Sequence, residues 1–196
     1  MEKNFEIESF LSQEEVNMVL EFYNVLPKHL NTGKTKKAYT TGFDLEDIPV
    51  ENFTARLKNV LGDFKVTTAM ILEEFVPWSV HTDYFKPDTT PFYAVLIPLD
   101  YKDKNTHTII FDQLGNKKDW QENLKEDLNY KYNSNESKLL SHIDKDILNK
   151  LTVDKIYKWQ KGNMIAWHRN FLHSSDNFVE GGLDRKIALV LFLNND

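Results

Sequence analysis

The order in which apolar patterns occur along the 196 residues is the strongest constraint on the fold. Helical spacing dominates the first 63 residues, whereas most apolar residues after Phe64 lie in short runs typical of strands. These runs are residues 65–72, 92–99, 108–111, 155–159, 163–167 and 185–193. Because helices do not alternate with the later strands, a doubly wound α/β sheet is disfavoured. The pattern predicts a mainly β (α+β) chain, either a β-sandwich or a double-stranded β-helix (jelly roll), with N-terminal helices packed on one side.

Two helices are expected ahead of these strands. Ser12 followed by Glu15 is the reciprocal capping arrangement of a helix start, and the apolar positions after it predict a first helix over about 13–25. Pro49 suits the first turn of a second helix that Gly62 ends. Residues 31–47, rich in Lys, Thr, Gly and Asp, indicate a loop or a short edge strand.

A single domain is expected over residues 1–196, because a chain of this size with 41% hydrophobic residues builds one ordinary core. Its parts are a helical segment (1–63), a jelly-roll core (64–112 and 155–196) and an insert (113–154). The insert is rich in Asn, Lys and Asp, and we interpret it as a mostly helical or irregular excursion at the rim of the barrel. It is either a lid or interface, or a solvated elaboration without a chemical role.

Composition narrows the range of functions. The net charge of −6 provides no basic surface for phosphate backbones, so nucleic acid is an unlikely partner. The chain has no Cys, which removes disulfides, thiolate metal sites and cysteine nucleophiles, so a metal must be held by His, Asp or Glu. The sequence shows no leader pattern and no apolar run long enough for a membrane span. We therefore expect a soluble, cytoplasmic protein that has no membrane partner.

Two His-x-Asp triplets are candidates for a metal site: residues 81–83 and residues 142–144. Two imidazoles and one carboxylate form the ligand set that holds Fe(II) on one face and leaves the other open. His81 and Asp83 follow an apolar run and share a face if they lie at a strand end, where both can reach one ion. His142 lies in the insert among apolar residues at helical spacing, which is typical of a solvated or partly packed helical histidine. The first triplet is therefore preferred.

The third ligand has two candidates, His168 and His173. The segment 162–177, with the sequence GNMIAWHRNFLHSSDN, resembles the second metal-binding motif of the Fe(II)- and 2-oxoglutarate-dependent dioxygenases, among them prolyl-hydroxylase-like and phytanoyl-hydroxylase-like members. The resemblance covers residues 64–112 and 155–193, and residues 10–15 are similar to the opening helix of prolyl-hydroxylase-like members. It implies that His173 is the third ligand and that His168 is a barrel-wall or surface residue.

The same resemblance implies a binding site for 2-oxoglutarate as cosubstrate. Arg185 is expected to pair with its distal carboxylate, because a dicarboxylate inside an apolar barrel needs a cation. Lys186 is the fallback, since prolyl-hydroxylase-like members use Lys for this purpose. Thr108, and alternatively Tyr93, is the candidate for a supporting hydroxyl. Period-two alternation places Arg185 on the core face with Ile187, where its charge needs a partner; the alternative is an Arg at the strand start that reaches solvent or Asp184.

The activity that the resemblance implies is oxidation of a C–H bond. His81, Asp83 and His173 would be the catalytic residues and hold Fe(II), with O₂ and 2-oxoglutarate consumed and succinate and CO₂ released. The substrate would be a small molecule, an amino acid or a prolyl or peptidyl side chain. Two alternatives remain open: a cupin-like metal-dependent enzyme or metal-binding module that does not use 2-oxoglutarate, and a noncatalytic jelly-roll protein.

Overall fold

The computed structural model describes residues 3–33, 36–83, 91–102, 104–115, 124 and 130–195. Strands make up most of its regular structure, as the sequence predicts. The elements are β1 (Asn4–Ile7), α1 (Gln13–Val25), β2 (His29–Gly33), β3 (Lys36–Gly42), α2 (Phe53–Leu61), β4 (Lys65–Glu74), β5 (Pro91–Asp100), β6 (His107–Leu114), α3 (Ser134–Leu139), α4 (Lys145–Leu148), β7 (Val153–Lys158), β8 (Met164–His168), β9 (Phe171–Ser175) and β10 (Lys186–Asn194).

The strands form two antiparallel sheets. The large sheet has the order β1-β8-β5-β10-β4-β3-β2, and the small sheet has the order β7-β6-β9. Neighbours in these sheets come from distant parts of the chain, as in β5-β10-β4, which is the arrangement of a jelly roll. The predicted fold class is therefore confirmed.

Helix α1 begins where the sequence predicts. The Ser12 side chain accepts a hydrogen bond from the backbone N–H of Glu15, and the Glu15 carboxylate accepts one from the Ser12 N–H. Such caps stabilise a helix by about 1 kcal/mol. The helix buries Val16, Val19 and Tyr23 against the large sheet. The N-terminal helices thus cover one face of that sheet.

Both faces of the large sheet's central strands are buried. On β10, Ile187 and Leu189 pack toward the helices, whereas Ala188 and Val190 pack toward the small sheet. Strands that are buried on both sides have apolar residues at nearly every position instead of alternating with polar ones. Strand β10 has this composition, and the space between the two sheets holds the candidate site.

The described part of the insert packs on the small sheet. Leu140, Ile143 and Leu151 form a buried cluster with Ile109 and Phe111 of β6. This part therefore carries core residues as well as surface residues. Residues 116–123 and 125–129 of the insert lie outside the described residues.

Two local predictions differ from the structure, and a third is confirmed in part. Residues 29–42 form a β-hairpin that pairs with β4; its outer strand β2 is a short edge strand, which was one of the two alternatives for residues 31–47, whereas β3 is an inner strand. Helix α2 begins at Phe53 and not at Pro49, although it ends at Gly62 as predicted. His142 lies in a turn between α3 and α4 and not in a helix. None of the described helices combines the length and the apolar character that a membrane span requires.

Candidate metal centre

Backbone pairing brings two distant histidines together. The His81 N–H donates to the His173 carbonyl and the His173 N–H donates to the His81 carbonyl, both at 3.0 Å. Strand β9 carries His173 and is itself held by β6, where Ile110 pairs with His173. The two imidazole ring centres lie 4.2 Å apart. Residues that are 92 positions apart in the chain therefore face the same space.

The Asp83 carboxylate completes the group. Its Oδ2 lies 3.3 Å from His173 Nε2, and its Oδ1 lies 3.9 Å from His81 Nε2. One ligand atom from each of the three residues lies within 4.8 Å of the others. Two imidazoles and one carboxylate that converge in this way can hold a divalent cation such as Fe(II) and leave one side open.

The backbone fixes which ring nitrogen of each histidine faces the centre. His81 Nδ1 lies 2.8 Å from the Ser79 carbonyl, and His173 Nδ1 lies 3.1 Å from the Phe171 carbonyl. A carbonyl can only accept, so each Nδ1 carries the hydrogen and each Nε2 presents its lone pair on the side of the Asp83 carboxylate. Metal-bound histidines typically donate their second N–H to such an outer partner. The residues present thus fit a metal ion.

The protonation state of His173 also suits metal binding. This imidazole is buried, and burial lowers its pKa to about 4 despite the hydrogen bond to Phe171. Because a metal ligand must be neutral imidazole, His173 is in the binding form at neutral pH without losing a proton first.

Arg169 supports the Asp83 ligand, although no motif in the sequence identifies it. Its Nη2 donates to the Asp83 carbonyl at 2.8 Å, and its Nη1 donates to Asn194 Oδ1 at 2.8 Å. In return, the Thr82 hydroxyl donates to the Arg169 carbonyl at 2.9 Å. Only 8% of Arg169 is exposed. The 81–83 triplet is therefore anchored to the C-terminal strand as well as to β9.

The three residues line a cavity between the sheets. Its wall is mostly apolar, with Trp78, Trp159 and Trp167 prominent, and its polar members include Glu74 and Lys186. Lys186 is 2% exposed, and its Nζ lies 3.3 Å from Glu74 Oε2. The same cavity thus contains the candidate metal ligands and a buried cation.

Arg185 does not line this cavity, so its expected placement was wrong. Its guanidinium forms an ion pair with Glu73 and lies 3.5 Å from Asp100 Oδ2, and 36% of its side chain is exposed. Arg185 does lie on the Ile187 side of the chain, but that side faces the helices. Because both faces of β10 are apolar, alternation alone could not tell which one faced the barrel interior. The cavity holds the fallback residue, Lys186.

Of the two candidate hydroxyls, the one of Thr108 lies in the cavity and the one of Tyr93 does not. Thr108 is 4% exposed and lines the cavity, and its Oγ1 accepts a hydrogen bond from Trp159 Nε1 at 2.8 Å. Tyr93 is 1% exposed but lies on the helix-facing side of β5, with its ring 5.6 Å from that of Phe5. Tyr93 therefore does not face the candidate metal centre, in contrast to its expected placement.

The two remaining histidine candidates lie elsewhere. His168 ends β8 with its ring packed near Tyr93 and Phe171. His142 Nε2 lies 3.3 Å from the Trp78 carbonyl. Among the described residues, only His81, Asp83 and His173 form a group of three possible metal ligands.

Comparisons with known proteins give structural matches only. No protein-family model matches the sequence, and no curated protein matches it. A prolyl-4-hydroxylase from Pseudomonas putida is similar with a TM-score of 0.59 and 8% identity, over 99% of this chain and 93% of that chain. A 2OG-Fe(II) oxygenase family oxidoreductase from Burkholderia pseudomallei has a TM-score of 0.59 and 11% identity, over 98% and 85%.

A third similar structure is that of the epimerase SnoN in complex with Fe3+, alpha ketoglutarate and nogalamycin RO. Its TM-score is 0.59 at 11% identity, over 98% of this chain and 79% of that chain. These matches show that the chain has the fold of the 2-oxoglutarate oxygenase structures, which confirms the resemblance at the level of fold. The named reactions include a hydroxylation and an epimerisation, so the fold alone does not specify the reaction.

Proposed function

We propose that this protein is an Fe(II)- and 2-oxoglutarate-dependent oxygenase that hydroxylates a C–H bond. The observation that carries the proposal is the convergence of His81, Asp83 and His173 in the wall of a cavity that Lys186 also lines. The fold shared with 2-oxoglutarate oxygenase structures supports it. When bound, Fe(II) supplies the oxidising chemistry: 2-oxoglutarate, O₂ and R–H give succinate, CO₂ and R–OH.

The roles of the residues follow from their positions. His81 and His173 would each offer Nε2 to the metal, held in that orientation by Ser79 and Phe171. Asp83 would offer the carboxylate, with Arg169 fixing its backbone. These roles need no rearrangement of the chain, because the three ligand atoms already converge.

Lys186 would pair with the distal carboxylate of 2-oxoglutarate. It is the buried cation of the cavity, and its ammonium lies 4.2 Å from the centre of the Trp159 ring. Thr108 lines the same cavity from β6 of the small sheet, and its hydroxyl can donate to a carboxylate while it accepts from Trp159. Aromatic side chains line this cavity, and the low dielectric constant of such a lining strengthens the attraction between the ammonium and a carboxylate.

The proposed substrate class is a small molecule, an amino acid or a prolyl or peptidyl side chain. Incubation with Fe(II), O₂ and 2-oxoglutarate against a panel of these compounds should release succinate, and one class should stimulate the release. His173→Ala should abolish it, while His168→Ala, a histidine outside the centre, should preserve it. Absence of succinate with every compound, from protein that binds Fe(II), would contradict the proposal.

A second function is favoured by one specific observation. Lys186 is already paired with Glu74, so the cavity contains an internal carboxylate where a cosubstrate carboxylate would bind. A cupin-like metal-dependent enzyme or metal-binding module that does not use 2-oxoglutarate would have no need to break this pair. Binding of 2-oxoglutarate to the metal-loaded protein separates the two functions, because only the oxygenase requires it.

A further inference from the structure

Glu74 and Lys186 are direct cross-strand partners on β4 and β10, two neighbouring inner strands of the large sheet. Glu74 ends β4, Lys186 begins β10, and the antiparallel register places the two residues opposite each other. Both side chains are directed into the cavity, where Glu74 is 8% exposed and Lys186 is 2% exposed. The pair is therefore shielded from solvent and lies within the proposed cosubstrate site.

The two charged groups lie close together, but Glu74 Oε2 does not accept a hydrogen bond from the Lys186 ammonium. Glu74 Oε2 lies 3.3 Å from Lys186 Nζ, yet no described donor is in hydrogen-bonding geometry to that oxygen. The ammonium also lies over the rings of Trp159 and Phe178, at 4.2 and 4.9 Å from their centres. Lys186 thus keeps favourable contacts that do not depend on Glu74.

We propose that Glu74 is an exchangeable counter-carboxylate, which the distal carboxylate of 2-oxoglutarate replaces beside Lys186 while Glu74 takes up one proton from solvent. This inference rests on the proposed function. It makes Glu74 a specificity-determining residue of the cosubstrate site. The exchange breaks no covalent bond, and one carboxylate substitutes for another at the same cation.

The charge balance of the cavity requires the proton. Two ionised carboxylates beside a single ammonium would leave a net negative charge in an apolar enclosure, which is strongly unfavourable. When two carboxylates share a site, one of them is strongly favoured in the protonated form. Because 2-oxoglutarate would be held by the metal as well, Glu74 is the one that becomes neutral.

The surroundings of Glu74 favour this outcome. Burial raises the pKa of the Glu74 carboxyl, while the facing Lys186 ammonium opposes the increase. At the end of β9, the Ser175 hydroxyl also favours the charged form, and the Asp176 carboxylate disfavours it. Asp176 is in turn paired with His107 of β6. The charges of Asp176 and Lys186 also reach His142, whose pKa Asp176 raises and Lys186 lowers. Once Lys186 pairs with another carboxylate, burial and the Asp176 carboxylate continue to raise the pKa of Glu74, and of these neighbours only the Ser175 hydroxyl still opposes them.

The proposal predicts proton-linked binding. If binding takes up about one proton, the affinity for 2-oxoglutarate falls roughly tenfold for each unit that the pH rises. The proton count can be measured by titration calorimetry in buffers with different ionisation enthalpies, between about pH 7 and 8, where unperturbed carboxylates are ionised. Protein loaded with Mn(II) is suitable, because it does not turn over.

Two controls isolate Glu74. The first is 2-oxobutyrate, which has the metal-chelating end of 2-oxoglutarate but no distal carboxylate, and it should bind without proton uptake. The second is Glu73→Gln, a matched change on the adjacent residue, whose carboxylate pairs with Tyr23 and Arg185 on the opposite face. Glu73→Gln should keep the proton uptake of the unaltered protein. Glu74→Gln should bind 2-oxoglutarate more tightly, with no proton uptake and with an affinity that no longer depends on pH.

The outcomes separate this inference from the proposed function. Binding of 2-oxoglutarate without proton uptake, and with the same pH dependence in Glu74→Gln, would overturn the inference and leave the function intact. Binding by Glu74→Gln alone would also overturn it, because Glu74 would then be a permanent block. Failure of both proteins to bind 2-oxoglutarate, with Mn(II) bound, would refute the proposed function itself. If Glu74→Gln does not fold, the difference in proton uptake between 2-oxoglutarate and 2-oxobutyrate in the unaltered protein decides the question.

Discussion

Arg185 and Lys186, adjacent in the chain, lie on opposite faces of the large sheet. The Arg185 guanidinium pairs with Glu73 on the side of the helices, and the Lys186 ammonium pairs with Glu74 inside the cavity. Each cation therefore has its own carboxylate from β4, and only one pair is near the candidate metal centre. The two residues are a natural matched pair for mutation.

Lys186→Met should weaken binding of 2-oxoglutarate to the Mn(II) protein by roughly ten- to hundredfold, because a charge-assisted hydrogen bond to the cosubstrate is lost. Arg185→Met should leave this affinity unchanged, since Arg185 does not line the cavity. Titration calorimetry measures both, and Mn(II) affinity reports that the centre is intact. Equal losses in the two variants would contradict the assignment of Lys186.

Arg169→Met should lower the affinity for Mn(II) by roughly ten- to hundredfold, the range typical of residues that orient metal ligands. The reason is the hydrogen bond from Arg169 to the Asp83 carbonyl, which fixes the position of the carboxylate ligand. Arg56→Met is the control, because Arg56 pairs with Glu15 near α1 and is remote from the centre. Metal titration followed by the electron paramagnetic resonance of free Mn(II) gives the affinities. Unchanged affinity in a folded Arg169→Met protein would show that Arg169 has only a structural role.

Tyr23→Phe should lower the free energy of unfolding by about 1 to 3 kcal/mol without changing metal affinity. The Tyr23 hydroxyl donates to Glu73 Oε2 at 2.7 Å, and both residues are buried between α1 and the large sheet. Burial, followed by the negative charge of Glu73, raises the pKa of Tyr23, so the hydroxyl remains a donor at neutral pH. Urea denaturation measures the loss. A change in Mn(II) affinity of the same size would indicate that the two faces of the sheet are coupled.

Stability should depend on pH through His142. Burial lowers the pKa of this imidazole below its ordinary value of 6.5, so the folded protein prefers the neutral form. Below about pH 6.5 the unfolded chain binds a proton that the folded protein does not, and stability falls until the folded pKa is reached. The contribution is fully present above about pH 6.5, the ordinary pKa that the imidazole has in the unfolded chain. The difference in unfolding free energy between unaltered protein and His142→Asn should therefore shrink from pH 7 to pH 5, and a constant difference would contradict the assignment.

The sequence predicted those parts of the fold and site that depend on local pattern. The capping residues Ser12 and Glu15 located α1, and the apolar runs located six strands. The short spacing of His81 and Asp83 and the motif around His173 identified the group that converges in the structure. In these cases the pattern that predicts the structure is contained within a few neighbouring residues.

The parts that could not be predicted depend on which face of a strand meets which partner. Tyr93 and Arg185 were expected in the cavity but lie on the side of the helices. Both faces of their strands are buried, so the sequence contains no contrast between an apolar and a polar side. The roles of Glu74 and Arg169 depend on contacts across the sheets, which no local pattern indicates.

The most direct test of the central claim is anaerobic addition of Fe(II) and then 2-oxoglutarate, followed by visible absorption. If His81, Asp83 and His173 hold the metal beside the cosubstrate site, a charge-transfer band should develop with 2-oxoglutarate, persist in His168→Ala and disappear in His173→Ala. Absence of the band in unaltered protein that has bound Fe(II), or its persistence in His173→Ala, would contradict the account.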